Sequence, residues 1–210
     1  MTFASSHDLQ RAVIETDHPR FVSRYLFEGV PFIFDGNIED WISWKSRLGN
    51  MLEVDPRNIV LTGSAAIGFS LSPGKNFRGF RDASDIDCGI VSPHHFDLAW
   101  RYLRQRRTEW LSLPRKIKDA IRTHRENYIF SGTIDTDSIL ALLPFGADWI
   151  KALTEMSRIP PTEGHQVNLR IYKDFEALRG YQMVGLRDAK ARILDSTKDD
   201  DDPGIPVEDE

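Results

Sequence analysis

The sequence predicts a mixed α+β chain, with a single domain over residues 1–194 that has helical N- and C-terminal elements. Two short apolar runs, 59–61 and 88–91, are bounded by Gly, Ser and Pro, as buried strands are. Residues 165–173 alternate, with Val167, Leu169 and Ile171 on one face and Asn168, Arg170 and Tyr172 on the other, the period-two signature of a strand. Apolar stripes at helical spacing surround these segments at 38–52, 96–111 and 175–193.

Composition sets the class. The chain has 210 residues, 40% of them hydrophobic and 28% charged, within the range of ordinary globular proteins. No apolar run reaches the length of a membrane span, and the opening MTFASSHDLQ lacks a basic-then-apolar signal pattern, so a cytoplasmic location without membrane contact is expected. The single cysteine, Cys88, excludes an internal disulfide and sits in an apolar run, as a buried small hydrophobe does. From 195 to 210 eight acids stand against Lys198 alone, so the net charge of -5 conceals a body that carries +2. That segment has too little apolar surface to fold and is expected to be a disordered acidic tail.

Taken in order, 7–13 reads as a short helix capped by Ser5 or Ser6, and 21–27 as a second closed by Gly29. Residues 31–34 read as extended, with a turn at Asp35-Gly36. Trp41, Ile42, Trp44, Leu48 and Leu52 mark a helix whose tryptophans belong to the core. Asp55-Pro56-Arg57-Asn58 turns the chain into the first strand, which stops at Thr62-Gly63-Ser64. A helix or tight turn at 65–69 follows, then a break at Ser72-Pro73-Gly74 and a basic, mobile loop over 75–81. Ser92-Pro93 opens a helix that runs to about Leu111, and Pro114 separates it from another containing Ile117, Ala120, Ile121 and His124. Asp135 and Asp137, a second Asp-x-Asp, read as the N-cap of a short helix at 138–143. Helix 149–156, a proline-containing loop at 160–164, the strand at 165–173 and a last helix capped by Asp174 complete the chain.

Chemistry concentrates between 59 and 92. Asp85 and Asp87 are two residues apart where the chain enters an apolar strand, so both carboxylates share a face while Ile86 points into the core. Like charges that close are tolerated where a cation offsets them, and an oxygen-only pair suits a hard divalent ion such as Mg²⁺ or Mn²⁺. Gly63 lets backbone N–H groups approach an anion, and the Ser64 hydroxyl is a further donor. Lys75 in the loop could cover a triphosphate.

Strand, Gly63-Ser64, then strand-borne Asp85-Ile86-Asp87 resembles the signature of the nucleotidyltransferase superfamily, the polymerase-β-like fold. The resemblance implies a small mixed sheet flanked by helices, an NTP bound over Gly63, Ser64 and Lys75, and Mg²⁺ or Mn²⁺ held by Asp85 and Asp87 as catalytic and metal residues. It implies transfer of an NMP to RNA or tRNA, protein or a small molecule, and bacterial members include defence and toxin–antitoxin components. The polar face of 165–173 offers Asn168, Arg170 and Tyr172 where a third carboxylate would be expected. The alternative is therefore a catalytically degenerate module that binds NTP or nucleic acid and regulates a partner protein. Between Arg101 and Arg125 nine bases face two acids, making 101–125 the candidate surface for an RNA or tRNA acceptor.

Overall fold

A computed structural model describes residues 3–200 of the chain. It is mixed α+β, as the sequence indicates, with one four-stranded sheet and helices on both sides. Helix α1 (Ser6–Glu15) starts at Ser5, whose hydroxyl accepts the Asp8 N–H, and α2 (His18–Phe21) starts at Asp17 and continues as a π-helix over Val22–Phe27. The second helix thus begins earlier than Phe21, because Asp17 caps it and Pro19 suits its first turn. Residues Phe32–Phe34 form a 3₁₀ turn rather than an extended run, closed by Asp35 and Gly36 at positive φ.

Helix α3 (Ile38–Leu52) buries Trp41, Trp44, Leu48 and Leu52. The Trp44 indole N–H donates to Thr162 Oγ1 at 3.0 Å, so a core tryptophan satisfies its one donor. Strand β1 (Ile59–Thr62) leads into α4 (Gly63–Ile67), which ends on Gly68 at φ 89°. The segment expected as a mobile loop is folded back instead. Ser70 N–H donates to Arg78 O and Phe80 N–H to Gly68 O, while Phe77 is buried beneath the Arg192 guanidinium.

Strand β2 (Ile86–Val91) is followed by α5 (Pro93–Gln105), whose cap Ser92 accepts the His95 N–H, and then by 3₁₀ turns over Arg106–Ser112. That helix ends six residues short of Leu111. After α6 (Arg115–Asn127), the second Asp-x-Asp is not a helix cap. Thr133–Asp135 forms strand β3, and the helix expected at 138–143 shrinks to a 3₁₀ turn at Leu140–Leu142. β-Branched Thr133 and Ile134 favour the strand, and Ile134 fills the core completely. Helix α7 (Gly146–Met156) and strand β4 (Val167–Tyr172) precede α8 (Phe175–Asp200). α8 extends past 194, so residues 195–200 of the expected acidic tail are helical, and 201–210 lie outside the described residues.

The strand order is β1-β2-β4-β3, with β2 and β4 parallel at the centre and antiparallel edge strands on either side. Ile59, Leu61, Ile86, Cys88, Ile90, Ile134, Val167, Leu169 and Ile171 point to one face and form the main core with α3, α5 and α7. The opposite face is covered only in part. Val60, Val91 and Tyr172 pack there against Leu178 of α8, which comes close because Gly89 has no side chain: a Cβ would lie 3.0 Å from Leu178 Cδ1. The end of this face where β1 finishes and β2 and β4 begin stays open. No helix among the described residues is long and apolar enough to cross a membrane.

Gly146 tests the packing under the sheet, because a Cβ there would stand 1.8 Å from the Leu140 carbonyl oxygen. Gly146→Ala is expected to lower stability by about 2 kcal/mol or more in urea denaturation. In α8, Gly180 has nothing within 4 Å, and Gly180→Ala is expected to raise stability by about 0.5–1 kcal/mol.

Candidate active site

The register across the sheet builds the site. Thr62 on β1 pairs with Asp87 on β2, and Asp87 with Asn168 on β4, so three polar side chains stand in a row on the open face. The Thr62 hydroxyl donates to the Asp87 carbonyl at 3.3 Å, tying the end of β1 to the acid-bearing strand. The next residue, Gly63, turns the chain at φ 65°, and a Cβ built on it would lie 3.0 Å from Asp87 Oδ2. Gly63-Ser64 and Asp87 are therefore in contact. Ser64 is half-buried in the first turn of α4, and its hydroxyl has no hydrogen-bond partner among the described residues.

Asp85 lies just before β2 rather than inside it, exposed and held from both sides. The carbonyl of Ser84 accepts from His165 Nδ1 at 2.7 Å, and the Ile86 N–H donates to Gln166 O at 2.8 Å. Asp85 stands within electrostatic reach of Asp87. Lys75, at the end of the short 3₁₀ turn Pro73–Lys75, stands within electrostatic reach of Asp87. All five residues singled out in the sequence, Gly63, Ser64, Lys75, Asp85 and Asp87, come to the same end of the sheet.

The sequence reading missed Asp137. Strand β3 pairs Asp135 with Arg170, and two residues later the chain brings Asp137 to the same cleft as Thr62, Asp87 and Asn168. The Thr136 hydroxyl donates to the Leu169 carbonyl, which fastens this turn to β4. The turn after the neighbouring edge strand thus brings an acid into the cleft of Asp87 that 165–173 itself lacks. Its signal was present, since Asp135-Thr136-Asp137 repeats the spacing of Asp85-Ile86-Asp87 after two β-branched residues.

These acids strain one another. Although solvent reaches one side of Asp87, burial raises its carboxyl above the usual carboxylate range, Arg170 opposes the rise, and Asp85 and Asp137 add to it. Asp137 is raised by burial and by Asp135 and Asp85, again against Arg170. The guanidinium of Arg170 is the central counter-charge: its Nε donates to Asp135 Oδ1 at 3.3 Å and it lies 5.1 Å from the Tyr181 ring centroid. Among the described residues no three His, Cys, Asp or Glu side chains gather closely enough to hold a metal ion unaided. The donors here are all oxygens, and Mg²⁺ takes one or two carboxylates and completes its shell with water and phosphate, so the set fits that ion.

Four of the nine bases of 101–125 form ion pairs with neighbouring acids. Arg106 pairs with Glu109 at 2.7 Å, Arg122 with Asp119 at 2.8 Å, and Arg115 and Arg125 reach Asp119 and Glu126 at 3.8 and 3.7 Å, all at the surface. His124 is the exception on α6: buried, stacked on Tyr128, and lowered in pKa by its burial. Comparison with family models, with curated proteins and with solved structures finds no match to this chain.

A raised carboxyl makes the folded state hold its proton more tightly than the unfolded state. Stability therefore falls as pH rises from the ordinary aspartate value through the folded value. In metal-free buffer at pH 7, Asp87→Asn is expected to melt roughly 1–3 °C above the unsubstituted protein. The gain should shrink as the pH is lowered toward the ordinary aspartate value, about 4. A variant that melts lower at pH 7 would show that Asp87 is not under strain.

Proposed function

We propose that this protein is a metal-dependent nucleotidyltransferase that moves a nucleoside monophosphate from an NTP to a hydroxyl of RNA, protein or a small molecule and releases pyrophosphate. One observation carries the reading: a Cβ built on Gly63 would lie 3.0 Å from Asp87 Oδ2, so an anion over the Gly63-Ser64 bend lies beside the acid pair. Gly63 and Ser64 present to the β- and γ-phosphates a backbone without a side chain and a hydroxyl that has no partner among the described residues. Lys75 adds positive charge on the same side. Asp85 and Asp87 would hold Mg²⁺ or Mn²⁺, which when bound supplies charge neutralisation at the phosphate oxygens.

Asp137 has the place and the environment of a general base. A carboxyl raised toward neutrality takes a proton more readily than an ordinary aspartate, and Asp137 faces the same cleft as Asp87. The alternative of a degenerate binding module rested on the lack of a third acid, and Asp137 supplies one. We place the protein in the cytoplasm, where NTP and Mg²⁺ are both abundant, and leave a role in defence or toxin–antitoxin regulation as a proposal that the resemblance alone supports.

The test incubates the protein with each α-labelled NTP, Mg²⁺ or Mn²⁺, and separated RNA, protein and small-molecule pools. Label is expected in one pool, with Asp87→Ala abolishing transfer and Asp137→Asn slowing it about 10²–10⁴-fold while the fold, read by circular dichroism, is kept. NTP binding without transfer into any pool would support the regulatory module instead.

A further inference from the structure

A cavity of about 330 Å³ opens beside Asp137, between α7, the turn after β3 and the start of β4. It shares Asp137, Asn168 and Leu169 with the cleft that holds Asp87, so a molecule seated in it adjoins the reacting centre. Its volume is at the small end of ligand pockets, enough for a compound about the size of a sugar. Leu140 and Leu153 contribute an apolar wall.

The polar lining has a definite sense. Thr136, Asp137, Ser138, Thr154, Ser157, Gln166 and Asn168 supply it, with no Lys, Arg or His among the described residues around the cavity, and Thr136 already donates to Leu169 O. Thr154 donates its hydroxyl proton to Ile150 O at 2.9 Å, and Ser157 donates its own to Thr154 O at 2.8 Å. Both hydroxyls keep only lone pairs for a ligand. Gln166 Nε2 donates one N–H to Asn168 Oδ1 at 2.8 Å, which leaves its other N–H and the Asn168 amide nitrogen as donors and the Gln166 carbonyl as an acceptor. Acceptors, one of them a carboxylate, outnumber donors.

A phosphodiester backbone brings acceptors and negative charge, and here would meet lone pairs, a carboxylate and no cation. A compound rich in hydroxyl or ammonium donors satisfies the same walls. Resting on the nucleotidyltransferase reading, we infer that this cavity seats the acceptor, and that the acceptor is a small polyhydroxylated or amino-alcohol compound rather than a nucleic acid. In the step, the acceptor oxygen bonds to the α-phosphorus as the bond from that phosphorus to the pyrophosphate oxygen breaks. Pyrophosphate leaves with the electron pair, and the hydroxyl proton passes to the Asp137 carboxylate and then to water.

Thr154 is an exposed position on α7, so Thr154→Trp fills the cavity without entering the core. The experiment offers α-labelled NTP with glucitol, myo-inositol, glucosamine, the small-molecule filtrate of a cell lysate, or total RNA. Saturation-transfer NMR follows the three pure compounds without NTP or metal, and NTP binding is followed by thermal shift. The expected result is label in a small molecule, with Thr154→Trp lowering kcat/KM at least tenfold and erasing the NMR contact while the NTP-induced shift persists. Label entering RNA equally in both proteins, with none in a small molecule, overturns this inference and leaves the nucleotidyltransferase reading in place, whereas an NTP-induced shift with no transfer to any acceptor overturns the inference and favours the regulatory module. Absence of any NTP-induced shift overturns the nucleotidyltransferase reading, and the inference with it.

Discussion

The Asp87 carboxyl comes close to the bend at Gly63 because that residue has no side chain, a Cβ there lying 3.0 Å from Oδ2. The two are brought together by the antiparallel pairing of β1 and β2, which sets Thr62 opposite Asp87 and delivers the following glycine, at positive φ, onto the carboxyl. Everything chemical in the fold depends on this apposition. A slip of one residue in the register of β2 would turn the acid to the apolar face.

The rest of the sheet supports a cluster of like charges. Arg170 is buried enough to act at short range on Asp135, Asp87 and Asp137, and the Tyr181 ring of α8 covers it. Below, the main core anchors the same strands through Ile86, Cys88, Leu169 and Ile171, so the strained acids sit on a floor that does not yield. A site so arranged lowers stability locally in return for charges poised to meet a ligand. The covering of the second face by α8 stops short of the acids, which leaves them open to a ligand.

Much of this was legible in the sequence, for identifiable reasons. The strands at 59–61, 88–91 and 165–173 announce themselves through apolar runs and alternation, and Trp41 and Trp44 through helical spacing. The Gly63-Ser64 and Asp85-Ile86-Asp87 pair is legible because glycine and a period-two acid pair have few other uses together. Asp137 was hidden because Asp-Thr-Asp-Ser before an apolar run also satisfies the rules for a helix cap, and only long-range pairing with β4 decides against it. The fold-back of 69–80 was hidden likewise, since a bridge between Phe69 and Gly79 and the burial of Phe77 against α8 leave no local signature in a basic, glycine-containing stretch. Local pairing within 101–125 was not legible from charge counting, since Arg115 and Arg122 share Asp119 and Arg125 meets Glu126 on their own helix.

The most direct test of the account is Mn²⁺ uptake, followed by the loss of the free-ion electron paramagnetic resonance signal, with and without a non-hydrolysable NTP analogue, in the unsubstituted protein and in Gly63→Val. The bend and the acid pair form one site, so the account predicts tight uptake that requires the nucleotide and disappears in Gly63→Val while the protein remains folded. Equal uptake with and without nucleotide, or uptake that survives a side chain at position 63, would contradict it.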